Sequence, residues 1–227
     1  MRITKLIEDV FRKYLPSPFT IAVLLTLCTF LMAYFSTKPA SVSSFSYAKQ
    51  ILIFWEQGIW SNGLLVFAFQ MMLILVLGHV LVLSKPVSQW ILKVTKYCTS
   101  TATSAAIVSC TTMFVAFFNW GLGLIFGALL ARKVAEHAQK NSIPLNYPII
   151  GAAGYTGLMV WHGGISGSAP IKINESGHVK SIMNAVSSDE ILQQIPETIT
   201  YAETIFSWWN VLIFLLVVIA VSTTLFF

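Results

Sequence analysis

Acid is almost missing from the middle of this chain. No Asp or Glu occurs between Gln57 and Ala135, and the 227 residues hold nine acids against 14 Lys and Arg, so that only 10% of the chain is charged. A soluble domain carries about 25% charged residues. The deficit, with 56% hydrophobic residues and a mean hydropathy of +0.75, excludes the ordinary soluble class and points to an integral membrane protein. The net charge of +5 then belongs to loops facing anionic lipid rather than to a nucleic-acid footprint. Scarcity of acid also leaves no visible relay of buried carboxylates. Cysteine is scarce too: Cys28, Cys98 and Cys110 lack metal-ligand spacing and read as small buried hydrophobes. With no nucleophile–base pair and no metal cluster in the sequence, an enzyme is not expected.

What is present is a series of apolar runs. Ile3, Leu6, Ile7, Val10, Phe11 and Tyr14 repeat at helical spacing against Arg2, Lys5, Glu8, Asp9, Arg12 and Lys13. This predicts an amphipathic interfacial helix over 1–15. Pro16 and Pro18 end it, and a membrane domain fills 16–227. Glu8, Asp9 and the long stretch before the first run argue against a cleaved signal peptide. The fold class is an all-α polytopic membrane protein, with spans expected at about 19–35, 64–84, 147–170 and 207–227. Ala48, Ile51, Leu52, Trp55 and Ile59 predict a short helix between the first two spans, with Trp55 and Trp60 as anchors. Residues 171–206 form a loop with five acids against Lys172 and Lys180.

The run 102–131 is apolar but interrupted at Asn119-Trp120-Gly121-Leu122-Gly123. Loop charge suggests why. Lys and Arg accumulate in cytoplasmic loops. With the basic N-terminus inside, the first two spans return the chain to the inside, where Lys85, Lys93 and Lys96 belong. If 102–131 crossed once, Arg132, Lys133 and Lys140 would lie outside and the acidic loop inside. A re-entrant hairpin with its tip at 119–123 removes both anomalies. Its arms would be unequal, about 17 residues before the tip and about eight after it. The span 147–170 is then interrupted in its turn by His162-Gly163-Gly164-Ile165-Ser166-Gly167-Ser168-Ala169-Pro170.

Irregular backbone at membrane depth is tolerated only where protein or a watery cavity covers it. Half-helix termini at such breaks suit charged ligands, and two Gly-interrupted segments point to a secondary transporter. Asn119 can bind an ion or substrate through its amide, or cap the helix that follows. Gly121 and Gly123 permit a tight tip or a close approach of substrate to backbone. Gly163, Gly164, Ser166, Gly167 and Ser168 make a second flexible polar patch, readable as a site or as an interfacial loop. Gln70, His79 and His162 are polar-core candidates: a polar side chain in a membrane span is costly, so Gln70 and His79 should face the bundle interior.

The motifs Leu15-Pro16-x-Pro18, Gly78-His79, Asn119-Trp120-Gly121-x-Gly123-Leu124 and Gly163-Gly164-x-Ser166-Gly167-Ser168-x-Pro170 together resemble the short-chain fatty acid transporter family, associated with bacterial acetoacetate and butyrate uptake. The resemblance covers this chain but only about the first half of a typical member. It implies one repeat of an ion-transporter-superfamily-like inverted-repeat fold, in a bacterial inner membrane with the N-terminus cytoplasmic. It further implies that 119–123 and 162–168 form half of a site for short-chain fatty acid anions. No cofactor is implied beyond a coupling ion, Na+ or H+. No second Asn-Trp-Gly or Gly-rich break follows, and the run 207–227 ends without a polar flank. A separate chain supplying the second repeat is therefore expected. The alternatives are a truncated, non-transporting membrane subunit or remnant, and a component of an anion channel.

Overall fold

The computed structural model describes residues 13–184 and 188–227, so most of the expected interfacial helix over 1–15 lies outside the described residues. All regular elements among them are helical. The chain divides into two compact units, Met1–Ala68 and Phe69–Phe227.

In the first unit, α1 (Pro18–Ser36) starts where the Ser17 side chain accepts from the Thr20 N–H at 3.2 Å and Pro18 supplies the first-turn proline. α2 (Ser44–Ile59) is capped in the same way by Ser43. The Phe30 and Trp55 rings meet edge to face at 5.9 Å, and the Thr37 and Tyr47 hydroxyls are hydrogen-bonded. No residue of α1 is buried within the chain. α3 (Asn62–Leu83) begins in this unit and continues into the second.

The second unit is organised by α5 (Thr101–Phe118), which follows the short amphipathic α4 (Lys85–Thr95). A capping box starts α5: the Thr103 N–H donates to Ser100 Oγ at 3.2 Å and the Ser100 N–H to Thr103 Oγ1 at 3.0 Å. Only Asn119, in extended backbone, separates α5 from α6 (Trp120–Lys140). The pairing shows how the helices lie. A Cβ on Gly123 would strike Ala116, and one on Gly127 would strike Thr112. Both pairs are centred on the Asn119–Trp120 bond, so α6 runs back antiparallel along α5. By length and composition alone, α5 could cross a membrane; the small residues facing it on α6 fix the return. Contrary to the expected short second arm, α6 has 21 residues. It continues through Arg132 and Lys133 because Glu136 pairs with both, at 3.0 and 2.8 Å, at the i,i+4 and i,i+3 spacings that support a helix.

Residues 147–170 form no continuous helix. α7 (Tyr147–Gly154) gives way to 3-10 turns at Thr156–Met159 and Trp161–Gly163, and then to α8 (Ser168–Asn174). This segment runs parallel to α5: the Asn146 N–H donates to Thr101 Oγ1 at 3.0 Å, and Gly157 sits against Thr112 and Ala116. Two further short helices, α9 (His178–Met183) and α10 (Asp189–Gln194), lie in the acidic loop. α11 (Trp208–Phe226) returns antiparallel to α5, with Phe214 against Phe117 (4.6 Å between ring centroids) and Ser222 Oγ 3.2 Å from Ser109 Oγ. Within this unit α3 descends beside α6, where Gly78 meets Ile125 and Gly121 meets Ile74. The basic loops flanking α5 and α6 therefore collect at one end of the unit. Both interruptions and the acidic loop collect at the other.

Candidate functional site

The site is built where the two interrupted segments meet. Asn119 ends α5, and its Oδ1 accepts from the Leu122 N–H at 2.9 Å. The amide oxygen is thus a helix cap. The next first-turn donor, the Trp120 N–H, donates to Ser166 Oγ at 2.9 Å. A second link lies beside it: the Ile165 N–H donates to the Phe117 carbonyl at 2.8 Å. α5 has to release that carbonyl because Gly121, which would be its helical donor, lies beyond the break. One break thus supplies the hydrogen bonds the other has lost, which is how irregular backbone is satisfied inside a bundle.

Glycine is required at this junction for space. A Cβ on Gly164 would overlap the Phe117 carbonyl oxygen, and one on Gly167 the His162 carbonyl oxygen. At Gly163 it would strike Asn210 Oδ1. Asn210, in the first turn of α11, holds the far side of the junction: its Nδ2 donates to the carbonyls of Gly163 and Ile205, each at 2.8 Å. Behind it lies a small cavity of about 100 Å³ lined by Phe117, Met159, Val160, Asn210, Phe214 and Val217, with Gly163 and Ile213. Its lining side chains are apolar apart from the Asn210 amide. On the outer side, the Trp120 and Trp161 rings lie 5.7 Å apart, and the Trp161 and His162 rings 3.9 Å apart at a tilt of 32°.

The candidates read from sequence fall into three groups. Asn119, Gly163, Gly164, Ser166 and Gly167 are brought together. Gly121 and Gly123 are buried against Ile74 and Ala116, so packing occupies the space a substrate would need at their Cα atoms. Ser168 starts α8 and is exposed. Gln70, His79 and His162 are all exposed in this chain, so none lies in its interior. Sequence reasoning missed Asn210, Phe117 and Phe214. An Asn near the start of an apolar run was a visible signal for Asn210; the two phenylalanines had none among so many.

Charge is kept away from the junction. Glu136, at the opposite end, is held below the usual carboxylate range by hydrogen bonds from Lys133 and Arg132. In the acidic loop Glu197 is lowered by Ser176 and Lys180, and Glu203 by the Thr200 N–H and hydroxyl. Burial pushes the Cys98 thiol up, and its Sγ lies 3.7 Å from the Val94 carbonyl it donates to. Among the described residues no group of three His, Cys, Asp or Glu could hold a metal ion.

Comparison with known proteins adds an independent observation. The sequence profile of a family described as "Short chain fatty acid transporter" matches residues 1–226. A protein of Escherichia coli K12 named "Putative short-chain fatty acid transporter" is 33% identical over 220 residues, 93% of this chain and 42% of that protein. A Haemophilus influenzae protein of the same name is 31% identical over 219 residues, 96% of this chain and 45% of that one. The chain thus spans less than half the length of these relatives. No solved structure matches it.

Proposed function

The chain belongs to the short-chain fatty acid transporter family, and from that premise we propose that it supplies one half of the substrate site of a secondary transporter for short-chain fatty acids. One observation carries this reading: the two interruptions are joined through Trp120–Ser166 and Phe117–Ile165, beside a small cavity lined mainly by apolar side chains. The Trp120 and Leu122 N–H groups are already taken and Gly121 is packed against Ile74, so a carboxylate meets the Asn119 Nδ2 and the Ser166 and Ser168 hydroxyls. The alkyl tail enters the cavity between Phe117, Phe214 and Asn210. At about 100 Å³ this has roughly the volume of three waters, which suits a chain of a few carbons.

In this reading the pair α5–α6 is a deep re-entrant hairpin. Its 18-residue first arm rises about 27 Å, so the tip lies near the far edge of a hydrocarbon layer about 30 Å thick. The basic loops face the cytoplasm and the acidic loop the outside of the bacterial inner membrane. Exposed Gln70 and His79 mark the face that a second repeat covers, because polar groups in lipid are costly. A longer chain or a separate polypeptide supplies that repeat, and Na+ or H+ drives uptake.

Labelled butyrate uptake tests this. Cells making the chain together with a second half should accumulate butyrate, and Asn119→Ala should slow uptake by about tenfold while membrane levels of the protein hold. Saturable uptake by this chain alone would overturn the half-site. Labelling of Arg132→Cys only from outside would overturn the hairpin.

A further inference from the structure

The end of the second unit opposite the breaks carries a groove that substrate binding leaves unused. On α4, Gln89, Lys93 and Lys96 follow one another at i, i+4 and i+7 and so share a face. With Leu92, Thr95 and His137 of α6 they line a groove of about 440 Å³. Among the described residues neither lysine makes an ion pair, whereas Arg132 and Lys133 nearby are both held by Glu136. Thr95 is turned inward, its hydroxyl donating to the Leu92 carbonyl at 3.0 Å. His137 has Asn141 Nδ2 3.3 Å from its ring. The groove therefore offers two ammonium groups, an imidazole and an amide, with no acid among its lining residues. Its chemistry fits a phosphate ester.

The neighbouring face of the same helix is apolar. Pro86, Val87 and Trp90 line a cavity of about 360 Å³ shared with Val115, Leu122 and Phe126, and the Trp90 and Phe126 rings lie 5.7 Å apart. α4 thus carries Trp90 among apolar residues toward its start and, toward its end, lysines without an ion pair among the described residues, which suits a lipid lying along it. A soluble phosphate would use the basic groove alone; a lipid would use both.

We propose that the α4 side of this unit binds an anionic phospholipid, its headgroup at the end opposite the breaks and its acyl chain running toward them. Lys93 and Lys96 contact the headgroup phosphate, His137 flanks it, and part of an acyl chain lies in the cavity beside Trp90. The test is native mass spectrometry of the purified full chain in neutral detergent, titrated with phosphatidylglycerol or phosphatidylethanolamine. Phosphatidylglycerol should be retained in preference. Lys93→Gln with Lys96→Gln should weaken it by on the order of tenfold or more. Lys93→Arg with Lys96→Arg should keep it, as should Lys172→Gln with Lys180→Gln at the other end. Equal retention of the two lipids, or an unchanged affinity in the Lys93/Lys96 glutamine variant, would overturn the proposal. So would an equal loss in the distant pair. Displacement by millimolar inorganic phosphate would reassign the groove to a soluble phosphate and overturn the lipid. Should the glutamine variant fail to fold, the parent chain decides: retention must fall as salt rises toward roughly molar, where the screening length shrinks to about 3 Å. Salt-independent retention would refute an electrostatic headgroup site.

Discussion

α1 and α5 are nearly equal in length, at 19 and 18 residues, yet none of α1 is buried within the chain and seven residues of α5 are. α1 is the greasier helix, made largely of Leu, Phe, Ala and Thr with no charge. α5 holds four Thr, two Ser and four Ala. In water the more apolar helix would be the core. In lipid the surroundings are as apolar as Leu, so no hydrophobic force draws α1 inward. Close packing and hydrogen bonds decide instead, and small or hydroxyl-bearing side chains let backbones approach. Gly127 against Gly154 and Gly157 against Thr112 are such approaches.

The largest expected effect tests that difference directly. Gly127→Val places a side chain against the Gly154 carbonyl, where backbone and not a flexible side chain must yield. We expect a loss of about 3 kcal/mol, the upper end for overpacking, read as earlier unfolding in denaturing detergent. Leu25→Ala on exposed α1 should stay within about 0.5 kcal/mol. If the two variants unfold alike, small-residue packing is not what holds the hairpin. Next in size is Ser166→Ala, which leaves the Trp120 N–H without its acceptor and should cost about 1–3 kcal/mol. Ser166→Thr keeps a hydroxyl and should recover most of the stability; a variant pair that behaves identically would show that the link between the breaks carries no weight.

A smaller effect of opposite sign sharpens the comparison. Gly151 lies within α7, and a Cβ there would meet nothing within 4 Å. Gly151→Ala should therefore raise stability by about 0.5–1 kcal/mol through helix propensity. Destabilisation would mean that the whole segment, and not its contact glycines, resists side chains. Smallest is the acid response at the exposed end of α6. The folded pKa of Glu136 is depressed, so its contribution is present above the unfolded value and is lost as pH falls through the lower folded value. Glu136→Gln should flatten stability across that acid window and leave it unchanged in form near neutral pH. An unchanged acid slope would place the proton linkage elsewhere.

Much of the fold was legible in the sequence, and the reasons differ by element. The runs that became α1, α3 and α11 show because crossing lipid demands long apolar stretches. The turn at Asn119 shows because an Asn followed by glycines continues an apolar helix poorly. The second arm of the hairpin did not show its length. Charge was read as the end of the arm, whereas the helix continues through Arg132, Lys133 and Glu136, which pair at helical spacing. The exposure of Gln70 and His79 in this chain did not show for a related reason: a polar residue in a span must be covered, but sequence does not say by which chain.

The sequence by itself determined the solvent this protein lives in, its helices, its two interruptions and the charge of its two ends. Those follow from composition and from local backbone rules, which each stretch obeys alone. Only the tertiary structure decided that the interruptions meet, that Gly121 and Gly123 pack against Ile74 and Ala116, and that Asn210 closes the junction. These depend on which orphaned N–H finds which carbonyl or hydroxyl across as many as 47 residues of chain, a pairing that no local pattern encodes.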